Sequence, residues 1–142
     1  LMFYLFGNAK FIQSYNAYLS NLKINVEDFS ISIFKNFFKK KEFLSIVNLN
    51  FFQENKERYF KIIFEKGELH VDLLQFKISI VRKEKIDYLQ FSKNNNSMYL
   101  NELKFFLNLI KYKKKVSKEL NHINGLKSLK LALNVKNFKL RK

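Results

Sequence analysis

From Lys10 to Phe91 polar and apolar positions alternate with a period close to two, the pattern of strands whose two faces meet different surroundings. Ser30-Ile31-Ser32-Ile33 alternates residue by residue, which buries one face of that strand and wets the other. Phe43 to Phe52 sets Phe43, Val47, Leu49 and Phe51 on one side, with Asn48 and Asn50 on the other. Arg58 to Glu65 groups Phe60, Ile62 and Phe64, and Leu69, Val71 and Leu73 then alternate with Glu68, His70 and Asp72. Between these runs Lys66-Gly67 reads as a two-residue hairpin loop, with Gly where positive φ is needed. Two shorter runs follow, Phe76-Ile78-Ile80 and Ile86-Tyr88. Six or seven consecutive strands on short connections predict a mostly antiparallel, open sheet.

The period changes at Asn94-Asn95-Asn96-Ser97, where polar cap residues precede Tyr99, Leu103, Phe106 and Ile110 on one helical face. Lys111, Lys113, Lys114 and Lys115 crowd the end of that helix, where cations complement the negative pole of the helix dipole, and read as a helix stop. A second helix is expected from near His122 to Phe138, with Leu126, Leu129 and Leu133 as its apolar stripe. Strands first and helices last is an α+β order, with both helices packed on one side of the sheet. No repeat or Ser/Gly linker marks a boundary, so residues 1–142 are expected to form one domain.

Composition alters this picture in three ways. A hydrophobic share of 47% excludes a wholly disordered chain, and the absence of Cys excludes a disulfide scaffold and a thiolate metal site. The absence of Cys also fits a reducing, cytoplasmic setting. The longest apolar run, Leu1 to Phe6, is far shorter than the ~20 residues of a bilayer crossing, so no membrane partner is expected. The net charge of +15 invites a nucleic-acid reading, but 24 Lys stand beside only three Arg, the residue whose planar fork grips phosphate. Seventeen Asn and 17 Phe accompany them, with three Ala, three Gly and no Pro. That is the mark of AT-rich codons filling tolerant positions, and it argues against nucleic acid as a partner.

Few residues suggest chemistry. Glu68, His70 and Asp72 share a strand face and could hold a divalent metal or exchange protons, although any solvated strand face looks the same. His122 stands beside Asn121 and Asn124 at a helix start, where capping accounts for it. Arg58 opens an aromatic-rich strand; it can grip a carboxylate or phosphate bidentately, pair with Glu54 or Glu57, or stack on Tyr59. Gly7, Gly67 and Gly125 are too scattered for a phosphate-binding loop, and there is no nucleophile elbow, so no catalytic residue is expected in this chain.

Several strings, in order, resemble the C-terminal domain of the Gfo/Idh/MocA oxidoreductases. They are Tyr4-Leu5-Phe6-Gly7; Ser20-Asn21-Leu22 with Val26-Glu27-Asp28; Arg58-Tyr59; Glu65-Lys66-Gly67 with Asp72-Leu73; Met98 to Leu103 with Phe106; and Gly125 to Leu133. The resemblance implies a two-domain enzyme in which an N-terminal Rossmann domain binds NAD or NADP, and this chain forms the wall of a pocket for a sugar, cyclitol or nucleotide-sugar. It places the dinucleotide fingerprint, the catalytic Lys and a His/Asp motif ahead of Leu1, so residues 1–142 are expected to be inactive alone. It further implies a homo-oligomer built through the sheet, and Arg58 and Asn21 as the substrate-facing residues. The readings set against it are a basic nucleic-acid or polyanion module and a non-catalytic dimerisation domain.

Three positions depart from that family's pattern. Phe64 stands where Gly is common, Asn36-Phe37-Phe38-Lys39-Lys40-Lys41 replaces a short Asn-Gly turn, and the Ser after the last helix is replaced near Asn137-Phe138. Without Gly the loops either lengthen or carry strain.

Overall fold

The computed structural model describes residues 2–91, 95–114, 116 and 121–138. Its elements run α1 (Met2–Phe6), β1 (Ala9–Ala17), β2 (Phe29–Phe38), β3 (Lys41–Asn50), β4 (Tyr59–Phe64), β5 (Gly67–Asp72), β6 (Lys77–Arg82), β7 (Lys85–Gln90), α2 (Asn95–Lys111) and α3 (His122–Asn137). The class is α+β, and all the strand pairings are antiparallel. Seven strands form two sheets, β1-β2-β3 and β4-β5-β6-β7. They fall in two compact units, Leu1–Gln53 with Lys115–Lys142, and Glu54–Lys114. Composition marks no break between them because the connection, Gln53-Glu54-Asn55-Lys56-Glu57, is a polar run without Gly or Pro. No helix among the described residues is long and apolar enough to cross a membrane.

In the first unit the alternation of β2 buries its polar side. Ser32 and Asn36 are buried beside Phe34, and Ser14 of β1, the partner of Ser32, is buried with them. Phe34 is the one buried apolar side chain among the described residues. On the opposite face Leu44 and Ile46 of β3 are 61% and 65% exposed. A β-bulge between Phe11 and Gln13 makes this possible: Phe11 pairs with Phe34 and Ser14 with Ser32, so two residues three apart share one face.

That polar face receives α3. The last carbonyls of a helix lack partners within it, and Val135 O accepts from Ser14 Oγ at 2.9 Å and Asn16 Nδ2 at 2.8 Å. Ser30 Oγ donates to Asn16 Oδ1 at 2.7 Å and so fixes the amide. Phe138, just past the helix end, meets Phe11 edge-on at 5.3 Å. Asn124, Leu131 and Val135 are therefore the half-buried positions, and the expected stripe of Leu126, Leu129 and Leu133 is exposed. The helix turns the other way because the sheet offers it hydrogen bonds.

At the start of α3, Asn121 caps through Oδ1, which accepts from Asn124 N at 2.9 Å. In the second unit α2 ends at a left-handed Lys113, with Lys113 N bonded to Ile110 O and Lys114 N to Leu109 O. This paired motif is a true helix stop, while Lys115 lies outside the described residues. Tyr99, Leu103, Phe106 and Ile110 are helical as expected, and they are exposed.

The hairpins answer the question of lengthened or strained loops. β2 and β3 are joined by Lys39-Lys40 alone, both left-handed (φ 48° and 68°), and β6 and β7 by Lys83-Glu84 (φ 44° and 63°). These are tight turns that hold side chains where Gly or Asn is cheaper, at about 1–2 kcal/mol per residue. The β4–β5 loop is Glu65-Lys66, and Gly67 is the first residue of β5, paired with Phe64. Gly67 is needed for close approach: a Cβ there would collide with the Val81 carbonyl and lie 3.1 Å from Arg82 Cγ, at φ 152°. Gly67→Ala is expected to destabilise the chain by about 1–3 kcal/mol in urea unfolding. An unchanged midpoint would show that β6 moves aside freely.

Candidate functional site

The second sheet has an apolar face built on Phe60, Ile62, Leu69, Val71, Ile78 and Ile80, and a polar face set by the same register. Lys61 lies opposite His70, Tyr59 opposite Asp72, His70 opposite Ser79, and Ser79 opposite Tyr88. On the polar side Arg58, Tyr59, His70, Asp72, Lys77 and Ser79 line a groove of about 420 Å³, and Glu57 lines it with them. Arg58 extends the ladder by one residue, its carbonyl accepting from Leu73 N at 2.8 Å. Among the described residues its guanidinium forms no ion pair with Glu54 or Glu57 and no stack on Tyr59. Lys77 Nζ sits 4.1 Å above the Tyr88 ring.

Glu68, His70 and Asp72 do share one face, and the structure divides them. Glu68 Oε2 takes Lys61 Nζ at 2.7 Å and His70 Nε2 at 3.3 Å. Those hydrogen bonds, Lys61 first, hold the Glu68 carboxyl below its ordinary pKa. Asp72 Oδ1 accepts from Leu74 N and Gln75 N, both at 2.8 Å, and so forms the turn after β5. Among the described residues no group of three His, Cys, Asp or Glu is placed to hold a metal ion. The groove thus offers donors from Arg58, Lys77 and Ser79, a carboxylate at Glu57 and an aromatic platform at Tyr59.

Asn21 belongs to the first unit and does not line this groove. It is exposed in the loop between β1 and β2, which a residue absent from the expected site organises. Asp28, buried at 2% exposure, accepts from Leu19 N at 2.7 Å, from Ser20 N at 2.8 Å and from the Ser20 hydroxyl. Its backbone closes the loop as well, with Asp28 N on Ala17 O at 3.1 Å and Phe51 N on Asp28 O at 2.9 Å. Asn21 directly follows the residue so held. The sequence signal was an Asp ahead of a strand with Ser eight residues earlier, a spacing that names no motif.

The fold recurs among solved structures in a dehydrogenase. It is UDP-N-acetylglucosamine 3-dehydrogenase GnnA from Acidithiobacillus ferrooxidans, a Gfo/Idh/MocA protein, the family that the sequence strings resemble. In one crystal form the match has a TM-score of 0.69 at 16% identity and covers 90% of this chain and 40% of that one. In a second form it has a TM-score of 0.70 at 16% identity over 89% and 39%. The likeness establishes a shared fold, and this chain spans about two-fifths of the dehydrogenase's length. No protein-family model and no curated protein matches the sequence.

The hydrogen bond from Ser20, then that from Leu19, lowers the Asp28 pKa below its ordinary value. A lowered carboxyl stabilises the fold fully above its unfolded pKa, near 4, and loses that contribution as pH falls through the lower folded value. Asp28→Asn is therefore expected to lower the thermal midpoint at neutral pH and to flatten its fall below about pH 4. An acid limb identical to the parent's would show that the loop is held otherwise.

Proposed function

We propose that this chain is the substrate-binding and oligomerisation part of an NAD(P)-dependent oxidoreductase that moves a hydride to or from a sugar, cyclitol or nucleotide-sugar. The observation that carries the reading is the fold shared over 90% of the chain with part of a nucleotide-sugar dehydrogenase. The groove fits it, because hydroxyl-rich ligands need donors and acceptors side by side near an aromatic face.

A dinucleotide site cannot be built from the glycines described. Gly7 follows α1, Gly67 lies against the Val81 carbonyl inside a sheet, and Gly125 lies within α3, so none opens a helix after a strand. On this reading NAD(P) is held by the Rossmann domain that the resemblance places ahead of Leu1, and this chain binds and orients the substrate. Arg58 takes a carboxylate, phosphate or hydroxyl oxygen, and Asn21 acts from the loop that Asp28 fixes.

The test is the full reading frame, expressed and assayed for nicotinamide reduction with UDP-linked and free sugars. Turnover that falls roughly ten-fold or more in kcat/KM on Arg58→Ala, with an unchanged thermal midpoint, supports the reading. Unchanged constants remove Arg58 from the site, and a reading frame without a dinucleotide fingerprint removes the enzyme. Should the Ala variant unfold, Arg58→Lys keeps the charge, loses the fork and reads the same point.

The open face of the first sheet, where Tyr15, Leu44 and Ile46 are exposed, supports oligomerisation through that sheet. Ile46→Lys is expected to convert a sedimenting dimer to monomer. A parent that is already monomeric at high concentration would overturn this part.

A further inference from the structure

The β2–β3 hairpin ends in Phe37-Phe38-Lys39-Lys40-Lys41, and its geometry sets it apart from the chain's general charge. Both turn residues are left-handed, a backbone that Asn and Gly adopt most easily. A coding bias toward A and T supplies Asn as readily as Lys, and this chain has 17 Asn. Lys83 and Lys113 are left-handed too, so strain alone does not single this turn out; what does is two adjacent left-handed lysines with a third lysine directly after them. The one carboxylate of the hairpin end, Glu42, is taken by Lys35 at 2.9 Å, and no carboxylate pairs with Lys39, Lys40 or Lys41 among the described residues.

The rings complete the patch. Phe37 and Phe38 are consecutive strand residues and so project from opposite faces, 51% and 54% exposed. Lys39 Nζ lies 5.6 Å from the Phe38 ring centre, which sets a cation beside an aromatic platform. The ammonium groups sit at the apex and the rings flank them. A bilayer would meet charge before any ring, whereas a polynucleotide strand can lay phosphates on the apex and bases on the flanks. The β6–β7 turn is an internal comparison: it has the same backbone and is flanked by Arg82 and Lys85, but Glu84 offsets Lys83 within the turn and no aromatic residue lies within two positions.

We propose that this hairpin tip docks single-stranded nucleic acid, with Lys39, Lys40 and Lys41 on phosphates and Phe37 and Phe38 stacking on bases. The proposal stands apart from the hydride-transfer reading, while Phe37, near the end of β2, shares the face of Leu44 and Ile46 assigned above to oligomerisation.

Fluorescence anisotropy with a labelled thymidine oligonucleotide of about 15 nucleotides tests it, at several salt concentrations. Three phosphate contacts give a slope of log affinity on log salt of about −2, which the K39N/K40G variant reduces to about −0.7. That variant is expected to bind at least ten-fold more weakly while its thermal midpoint rises, because Asn-Gly suits the turn. K83N/E84G is expected to raise the midpoint equally and leave binding unchanged. Phe38→Ala is expected to cost about ten-fold with the oligonucleotide and nothing with dextran sulfate, a polyanion without bases. Should the double variant fail to fold, Lys41→Gln, outside the turn, gives the same reading of charge. Full affinity in K39N/K40G, no binding at low salt, or insensitivity to Phe38→Ala overturns the proposal. So does a preference for phosphatidylserine vesicles over the oligonucleotide.

Discussion

The carbonyl of Val135 ties the first unit together. It belongs to the final turn of α3, where its own helix end gives it only the long 3.4 Å contact from the cap Phe138 N, and β1 adds the shorter bonds from Ser14 and Asn16. A helix bound in this way needs a polar sheet face, and β1 and β2 present Ser14, Asn16, Ser30 and Ser32 toward it. Apolar burial contributes about 25 cal/mol per Å², and this layer forgoes much of it. Each hydrogen bond returns about 1 kcal/mol. The isoleucines and leucines displaced from the interior lie on the other face, so the choice made at one carbonyl also decides which surface of the sheet meets its surroundings.

The sequence was informative about where elements lie and much less about which way they face. Alternation located the strands and the i, i+4, i+7 spacing located α2, because both follow from backbone geometry alone. The direction of burial in Ser30-Ile31-Ser32-Ile33 depends on a helix more than 100 residues away, and no local pattern contains it. The bulge at Ile12 is equally silent, since an extra strand residue leaves no signature in composition. Gly67 has the positive φ that the hairpin reading requires, but it serves a close approach to Val81, one strand over, rather than the turn itself.

The candidate site shows the same division. Arg58 was visible as one of three Arg in a lysine-rich chain, and it lines the groove. Glu68, His70 and Asp72 were visible as a face, yet their neighbours assign them structural partners: Lys61 for Glu68 and the turn amides for Asp72. Asp28 was hidden because its role lies in the amides it collects, and backbone amides have no letter in a sequence.

The first unit is interrupted in sequence by the second, which runs unbroken from Glu54 to Lys114. A ribosome therefore releases Ser14 and Asn16 well over a hundred residues before their partner carbonyl exists. The second unit has all of its strands available first, and closing the first unit is the late, long-range event that loop entropy makes slow. Throughout that interval the inner face of the β1–β2 pair stands in water. A face of serines and asparagines can wait there hydrated, where one of valines and leucines would seek the nearest apolar surface on another chain.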